Sequence, residues 1–505
     1  MEYLLGLDVG TSGVKALLIT VEGEIAGSDT QSYPLSTPRS GWAEQNPNDW
    51  WQATKKAITN VIEKSGVQKG ELQGISLSGQ MHSSVFLDKN REVIRPAILW
   101  SDTRTSSQCE EIYERAGGLK ELIKYVSNPA LEGFTAPKVL WLRENEPQNF
   151  QKIKHLMLPK DYIRFKLTGE IKTEVSDAAG TLFFDVKSKK WSRGLLEKLE
   201  IDPEILPEVL NSVDIAGQIT SEVAEETGLE TGIPVAAGGA DNACGAAGSG
   251  IVKEGRVMAS IGTSGVILAQ SNTPAADMQG RIHLFNHSRP DCWYMMGVVL
   301  SAGMCYSWLQ ENVYEQMVDF AELDDKASGV APGSDGLIFL PYLYGERTPH
   351  ADGDARGVFF GLSGQHKQAH FARSVMEGVG FALRDSLELI KDKGIEIEEI
   401  RTIGGGAKSP VWRSILADVF GEEISLLNIE EGPAFGAAVI AGVGVGVFDS
   451  FEQAEENLIK VEKRIAPDSE NVKKYNQYYK LYRDLYPSLK ENYNKLSALT
   501  DTELD

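Results

Sequence analysis

Two carboxylates in this chain stand beside small-residue turns, the setting that phosphoryl-transfer chemistry needs. Asp8 lies in residues 4–20, LLGLDVGTSGVKALLIT, where Gly10-Thr11-Ser12-Gly13 interrupts an apolar strand pattern that then resumes. Glycines allow a tight turn and close approach, while Thr11 and Ser12 offer hydroxyls and amides to anionic oxygens. An acid next to an anion cradle implies a cation between them. One reading is therefore a nucleoside triphosphate with Mg²⁺, the metal on Asp8 directly or through water and Lys15 adding charge. The other is an ordinary hairpin whose Asp caps its own turn, with Lys15 a solvated strand lysine. Asp241, in Gly-Gly-Ala-Asp-Asn, follows an apolar run and opens a small-residue helix. A carboxylate there could take the proton from a substrate hydroxyl attacking a γ-phosphate, or simply cap the helix.

The opening turn has an echo. SIGTSGVILA, with Gly262 and Thr263 in its turn, repeats DVGTSGVKAL half a chain later, and the repeat points to a duplicated domain. A nucleotide could then be cradled by two such turns. Gly404-Gly405-Gly406 follows a strand pattern and precedes a helix start at Ser409-Pro410. Backbone there could lie against an adenosine or α-phosphate, or the glycines could form only a tight turn. Met81 and His82 follow the strand pattern of residues 72–79, suited to packing on a sugar and bonding its hydroxyl, or to a histidine satisfied under a loop. Asp102 and Arg104 follow Trp100 as a polar group at the next strand end, or as a salt bridge.

These groups need elements to hold them. Strands are expected on either side of the Gly10–Gly13 turn within residues 4–20 and at 24–32 and 72–79, and a helix from Pro47 at its first position towards Lys64. Ligand groups belong outside the ends of such strands in open α/β sheets. Residues 103–199 read as a mostly helical insertion, 256–261 and 266–269 as a second hairpin, 371–391 as a long amphipathic helix, and 399–403 as a strand. Pro433 opens a small-residue helix. The charged, Tyr- and Leu-rich tail 468–505 reads as a helix packed on the outside, its last few residues frayed. The expectation is an α/β protein with domains 1–249 and 250–505.

Composition narrows the chemistry. With 505 residues, 42% of them hydrophobic, the chain can build two or three cores. A formal charge of −22 disfavours nucleic acid and anionic membranes. No stretch reads as a membrane span or a leader, so a cytoplasmic location is expected. Cys109, Cys244, Cys292 and Cys305 are scattered, without zinc spacing or CxxC, and read as reduced structural thiols. A P-loop, a dinucleotide fingerprint, a GxSxG elbow and HExxH are all missing from the sequence.

Longer patterns then carry a resemblance. GFTAPKVLWLREN at 133–145 and GVFFGLSGQHKQAHFARSVME at 357–377 are similar to the two signatures of the FGGY carbohydrate kinases. That family lies within the sugar kinase, heat-shock and actin ATPase superfamily. Gln80-Met81-His82, Leu158-Pro159-Lys160-Asp161-Tyr162, residues 176–181 and residues 345–350 resemble the branch acting on xylulose. The resemblance covers residues 4–447 and implies two ribonuclease H-like, actin-like ATPase domains around a central cleft. It implies Asp241 as base and Asp8 as the essential acid near Mg²⁺. Met81 and His82 become the sugar-contacting pair, with Asn242 nearby, and Gly262, Thr263 and Gly404 to Gly406 the nucleotide turns. Two departures stand out: Ser83 replaces the usual glycine after Met-His, adding a hydroxyl near the sugar, and Ala240 replaces a third glycine before the acid. The expected partners are ATP and a ketose, with a homodimer left open. The expected reaction is phosphorylation of D-xylulose at its 5-hydroxyl. Another pentulose or polyol (L-xylulose, ribulose, glycerol) and a non-catalytic nucleotide switch are the alternatives.

Overall fold

The computed structural model describes residues 1–501, and the protein divides into two compact units. The first comprises residues 1–253, 271–294 and 431–459, the second 254–270, 295–430 and 460–505. The last residues, where fraying is expected, lie outside the described ones.

In the first unit the opening hairpin forms as its pattern dictates, Tyr3–Val9 pairing antiparallel with Gly13–Thr20, and that strand with Ile25–Ser32. Leu72–Gly79 adds in parallel on the far side of Tyr3–Val9, and Pro234–Ala236 and Ile215–Gln218 extend the sheet. Side chains alternate between the faces. Leu5, Leu7 and Val9 join one core with Trp50, Ile58 and Val61 of the helix Pro47–Ser65, whose N-cap Asn46 accepts from the Asn48 amide. Gly6 turns to the opposite face, where a Cβ would lie 1.9 Å from the Ala434 carbonyl oxygen. The helix Pro433–Gly444 therefore sits directly on the strand.

That helix explains how the packing differs from two continuous halves. Its small, apolar residues are buried against the first unit's sheet and against the helix Asp241–Gly248. At Gly436 a Cβ would come within 1.8 Å of the Cys244 carbonyl, so the helices touch backbone to backbone. The run Gly245-Ala-Ala-Gly-Ser-Gly250 serves this approach. Residues 431–459 thus return to the first unit after the second has begun.

The second unit repeats the hairpin: Arg256–Ile261 pairs antiparallel with Gly265–Ser271 and parallel with Glu399–Ile403. Its sheet continues through Ile424–Leu427 to Val461–Ile465. The tail helix Ser469–Asp501 is more deeply packed than its charge implies. Tyr475, Tyr479 and Tyr486 donate to Glu377, Asp385 and Asp352 at 2.7, 2.6 and 2.6 Å, and the Tyr482 and Tyr342 hydroxyls pair at 2.9 Å. All four cysteines are free and buried.

Candidate active site

Strand register brings the two carboxylates of the first unit together. Asp8 pairs with Lys15 on one side and Ser78 on the other, and the short strand Gly239–Ala240 runs parallel beside Ser78 and Gly79. Asp241 follows at once as the first residue of its helix; the N-cap position belongs to Ala240. Both acids therefore stand at the carboxyl ends of parallel strands. Burial, and then the charge of Asp8, push the Asp241 carboxyl up to about 7, while its hydrogen bonds from Asn242 pull the other way. Burial also raises Asp8, opposed by Ser78 and Lys15. Lys15 is not a solvated strand lysine: it is half-buried in an ion pair with Glu431.

The Gly10–Gly13 turn is braced from beneath. Gln45 Nε2 donates to the Thr11 carbonyl at 2.8 Å, Trp100 Nε1 donates to the Thr11 hydroxyl at 2.9 Å, and the Tyr33 hydroxyl donates to the Gly10 carbonyl. Thr11 keeps its own hydroxyl proton to donate. Ser12 is exposed. One Asp8 oxygen is buried without a hydrogen-bond partner, which is what a bound cation would satisfy. Among the described residues no group of three or more His, Cys, Asp or Glu side chains could hold a metal. Asp8 alone suits Mg²⁺, which keeps several waters and shares carboxylates with substrate phosphates.

Residues 81–83 form a three-residue turn closed by the Ser83 amide donating to the Met81 carbonyl at 2.7 Å, with His82 at φ 67°. A non-glycine residue held there costs about 1–3 kcal/mol and persists only when its surroundings over-determine it. Here His82 Nδ1 lies 2.6 Å from the Gly180 carbonyl, which can only accept, so Nδ1 carries the proton. Asn242 Nδ2 approaches the Met81 sulfur at 3.8 Å and Asp241 Oδ1 at 3.0 Å, which gathers Met81, Asn242 and Asp241. The Ser83 hydroxyl faces inward. It accepts from the Trp100 amide at 3.0 Å and donates to Gln80 Oε1 at 3.3 Å.

Asp102 is a structural acid in this geometry. It is fully buried, and its oxygens are taken by Arg104 at 2.6 and 2.8 Å and by the Ala43 amide at 2.6 Å. Arg104 in turn lies 3.5 Å over the Trp42 ring.

Behind Asp241 the patterns at 158–162 and 176–181 meet in a buried ionic group that sequence spacing does not reveal. Lys160 contacts Asp161 at 2.8 Å and Glu174 and Asp177 at 3.4 Å, and Arg164 contacts Asp161 at 2.9 Å. Glu174 accepts from the Ser176 hydroxyl, which accepts from the Ala240 amide at 2.9 Å. The backbone carrying Asp241 is thereby tied to a rigid polar core.

In the second unit a cavity of about 740 Å³ opens beside the repeated turn. Gly262, Thr263, Gly405 and Gly406 line it, together with Tyr306, Phe320, Asp324 and Trp412. Gly404 is not among its lining residues, but its φ of 89° suits glycine, and a Cβ there would lie 2.6 Å from the Ile261 carbonyl oxygen. Tyr306 stacks on Phe320 and meets Trp412, giving one end an aromatic wall of the kind that suits a flat base. Sequence spacing does not reveal this wall, because Trp412 lies 92 residues beyond Phe320.

Residues 3–248 match the FGGY family of carbohydrate kinases, N-terminal domain, and residues 257–445 match the C-terminal domain of the same family. The chain belongs to the FGGY family of carbohydrate kinases, and ATP is its phosphoryl donor. It is 43% identical to the xylulose kinase of Bacillus subtilis (strain 168), over 97% of this chain and 98% of that one. The xylulose kinase of Rhodospirillum rubrum superposes with a TM-score of 0.92 at 29% identity, covering 98% of this chain and 100% of that chain. A gluconate kinase from Lactobacillus acidophilus reaches the same TM-score at 27% identity, covering 98% and 99%. Fold alone therefore does not select the sugar.

Proposed function

We propose that the protein phosphorylates D-xylulose at its 5-hydroxyl with ATP, giving D-xylulose 5-phosphate and ADP. The observation that carries the reading is Asp241, a half-buried carboxyl raised to about 7 beside a second acid and bonded by Asn242, whose amide also approaches Met81. A base poised near the working pH can hold the ketose hydroxyl and take its proton as that oxygen bonds to the γ-phosphorus and the bond to the β-phosphate oxygen breaks. Met81 and His82 contact the sugar carbons and hydroxyls. Thr11 and Ser12 donate to phosphate oxygens, and the Gly262–Thr263 and Gly405–Gly406 turns with their aromatic wall receive the nucleotide. Mg²⁺, when held by Asp8, supplies positive charge to the phosphates. The full-length relatives that are xylulose kinases support the choice of sugar. A cytoplasmic location and a homodimer belong to the same reading.

The test is ADP release measured across D-xylulose, L-xylulose, D-ribulose, glycerol and gluconate. D-xylulose should give the highest kcat/KM. A higher value for another sugar replaces the substrate assignment, and slow hydrolysis indifferent to every sugar replaces the kinase with a nucleotide switch.

A further inference from the structure

The His82 turn is gripped from a direction the proposed reaction does not use. The helix Thr135–Asn145 places Thr135 and Lys138 three residues apart, on one face. Both reach the same acceptor: Thr135 Oγ1 donates to the His82 carbonyl at 2.8 Å and Lys138 Nζ donates to it at 3.1 Å. Lys138 also donates to the Gly133 carbonyl at 2.5 Å, and the Phe134 ring lies 4.4 Å from the imidazole. Lys138 is fully buried. Burial pulls its ammonium down to about 7, so placing it here is unfavourable without a compensating task. A methionine could fill the same volume. What lysine adds is donors to two carbonyls, tying the turn to the segment before the helix.

We propose that Thr135 and Lys138 are positioning residues for the sugar, fixing the His82 carbonyl so that the strained turn presents Met81 and the imidazole in one orientation. The proposal rests on the reading of Met81 and His82 as the sugar-contacting pair. Without the two grips, His82 relaxes towards negative φ and its carbonyl, ring and neighbour change direction together. The effect falls on sugar recognition, since neither residue meets the nucleotide cavity.

The experiment measures kcat and KM separately for D-xylulose and ATP in Thr135→Val, Thr135→Ser, Lys138→Met and His82→Ala. Loss of one such hydrogen bond is expected to raise the D-xylulose KM roughly tenfold in Thr135→Val and more in Lys138→Met. The ATP KM should stay within about twofold, and Thr135→Ser, which keeps the hydroxyl, should restore most of the loss. Preference for D-xylulose over D-ribulose should fall in step. If His82→Ala raises the D-xylulose KM but Thr135→Val and Lys138→Met do not, the positioning role is wrong and the sugar reading stands. If His82→Ala leaves that KM unchanged, the sugar reading and the positioning role both fall. A parallel rise in both KM values, unrelieved by Thr135→Ser, marks a structural role and overturns the proposal. Should Lys138→Met fail to fold, the Thr135 pair decides alone.

Discussion

The two Gly-Thr-Ser-Gly turns share a sequence and a hairpin, yet their surroundings differ in kind. The turn at 10–13 is set among charged groups, Asp8, Asp241 and the Lys15–Glu431 pair, and is braced by the neutral side chains of Gln45, Tyr33 and Trp100. The turn at 262–265 is held by backbone. The Ala302 and Met304 amides donate to the Thr263 carbonyl at 3.0 and 3.1 Å, and the Gly303 amide donates to the Gly262 carbonyl at 2.9 Å. An aromatic cavity opens beside it. One hairpin geometry can thus be specialised in two directions by what packs around it. The first suits proton and metal chemistry, the second recognition of a neutral flat group.

The largest way to test this contrast is at Asp241. Asp241→Ala should lower kcat by roughly 10²–10⁴, the usual contribution of a general base, while ATP still binds by calorimetry. Near-normal turnover would remove Asp241 from the base role. The wild-type pH profile should agree. An aspartate base works ionised, so kcat/KM should climb about tenfold per pH unit below about 7 and level off above it. The same shift has the opposite sign for stability. Because the folded pKa is raised above its ordinary 3.8, the native state holds a proton that the unfolded chain has lost between those values. Stability is therefore lost as pH rises through that window. Asp241→Asn should raise the melting temperature relative to wild type more at pH 8 than at pH 5.5.

Asp8→Asn comes next, with a fall in kcat on the order of 10². Its sharper signature is in the residual activity. With the Asp8 charge gone, one cause of the raised Asp241 pKa disappears, so the acidic limb should move to lower pH. An unmoved limb would separate the two carboxylates and undo the account of the first turn. In the second unit no such pH effect is expected. Phe320→Ala, at a partly exposed ring of the cavity, should raise the ATP KM about tenfold and leave the D-xylulose KM and the pH limb alone. A matching change in the D-xylulose KM would break the division of labour between the turns.

Much of this was legible because it is local. The hairpins, the Pro47 and Pro410 helix starts and the acid at the head of residues 241–248 follow from residue types a few positions apart, and the structure has them where those patterns place them. What escaped depends on distant contacts. Tyr306, Phe320 and Trp412 form one wall only after the second sheet is assembled. Lys138 stands in the sequence only as one letter of the 133–145 pattern, with nothing to mark it as buried, yet every side chain from Thr135 to Leu142 is buried. The tail carried a readable signal: Tyr475, Tyr479, Tyr482 and Tyr486 recur at helical spacing, the mark of a buried face. Asp102 shows the converse. Its position at a strand end fits a ligand group, but Arg104 two residues on occupies it with a bidentate pair.

The smallest effect is expected at Ser83, where the FGGY resemblance leads to the expectation of glycine. A hydroxyl near the sugar would be a specificity element if it pointed towards the ligand. Here it is fully buried and held by the Trp100 amide and Gln80. Trp100 in turn donates to Thr11, so Ser83 links the turn at 81–83 to the turn at 10–13 within the first unit. Ser83→Gly should then change the D-xylulose KM by less than about twofold and leave the ranking of sugars intact, since no substrate contact is removed. Its cost belongs to stability. The Trp100 amide loses its acceptor, worth roughly 1 kcal/mol, which thermal unfolding would register as a small fall in melting temperature. A reordered sugar preference in Ser83→Gly would show that the hydroxyl reaches the substrate after all, and would make this one residue the determinant of which ketose the first turn serves.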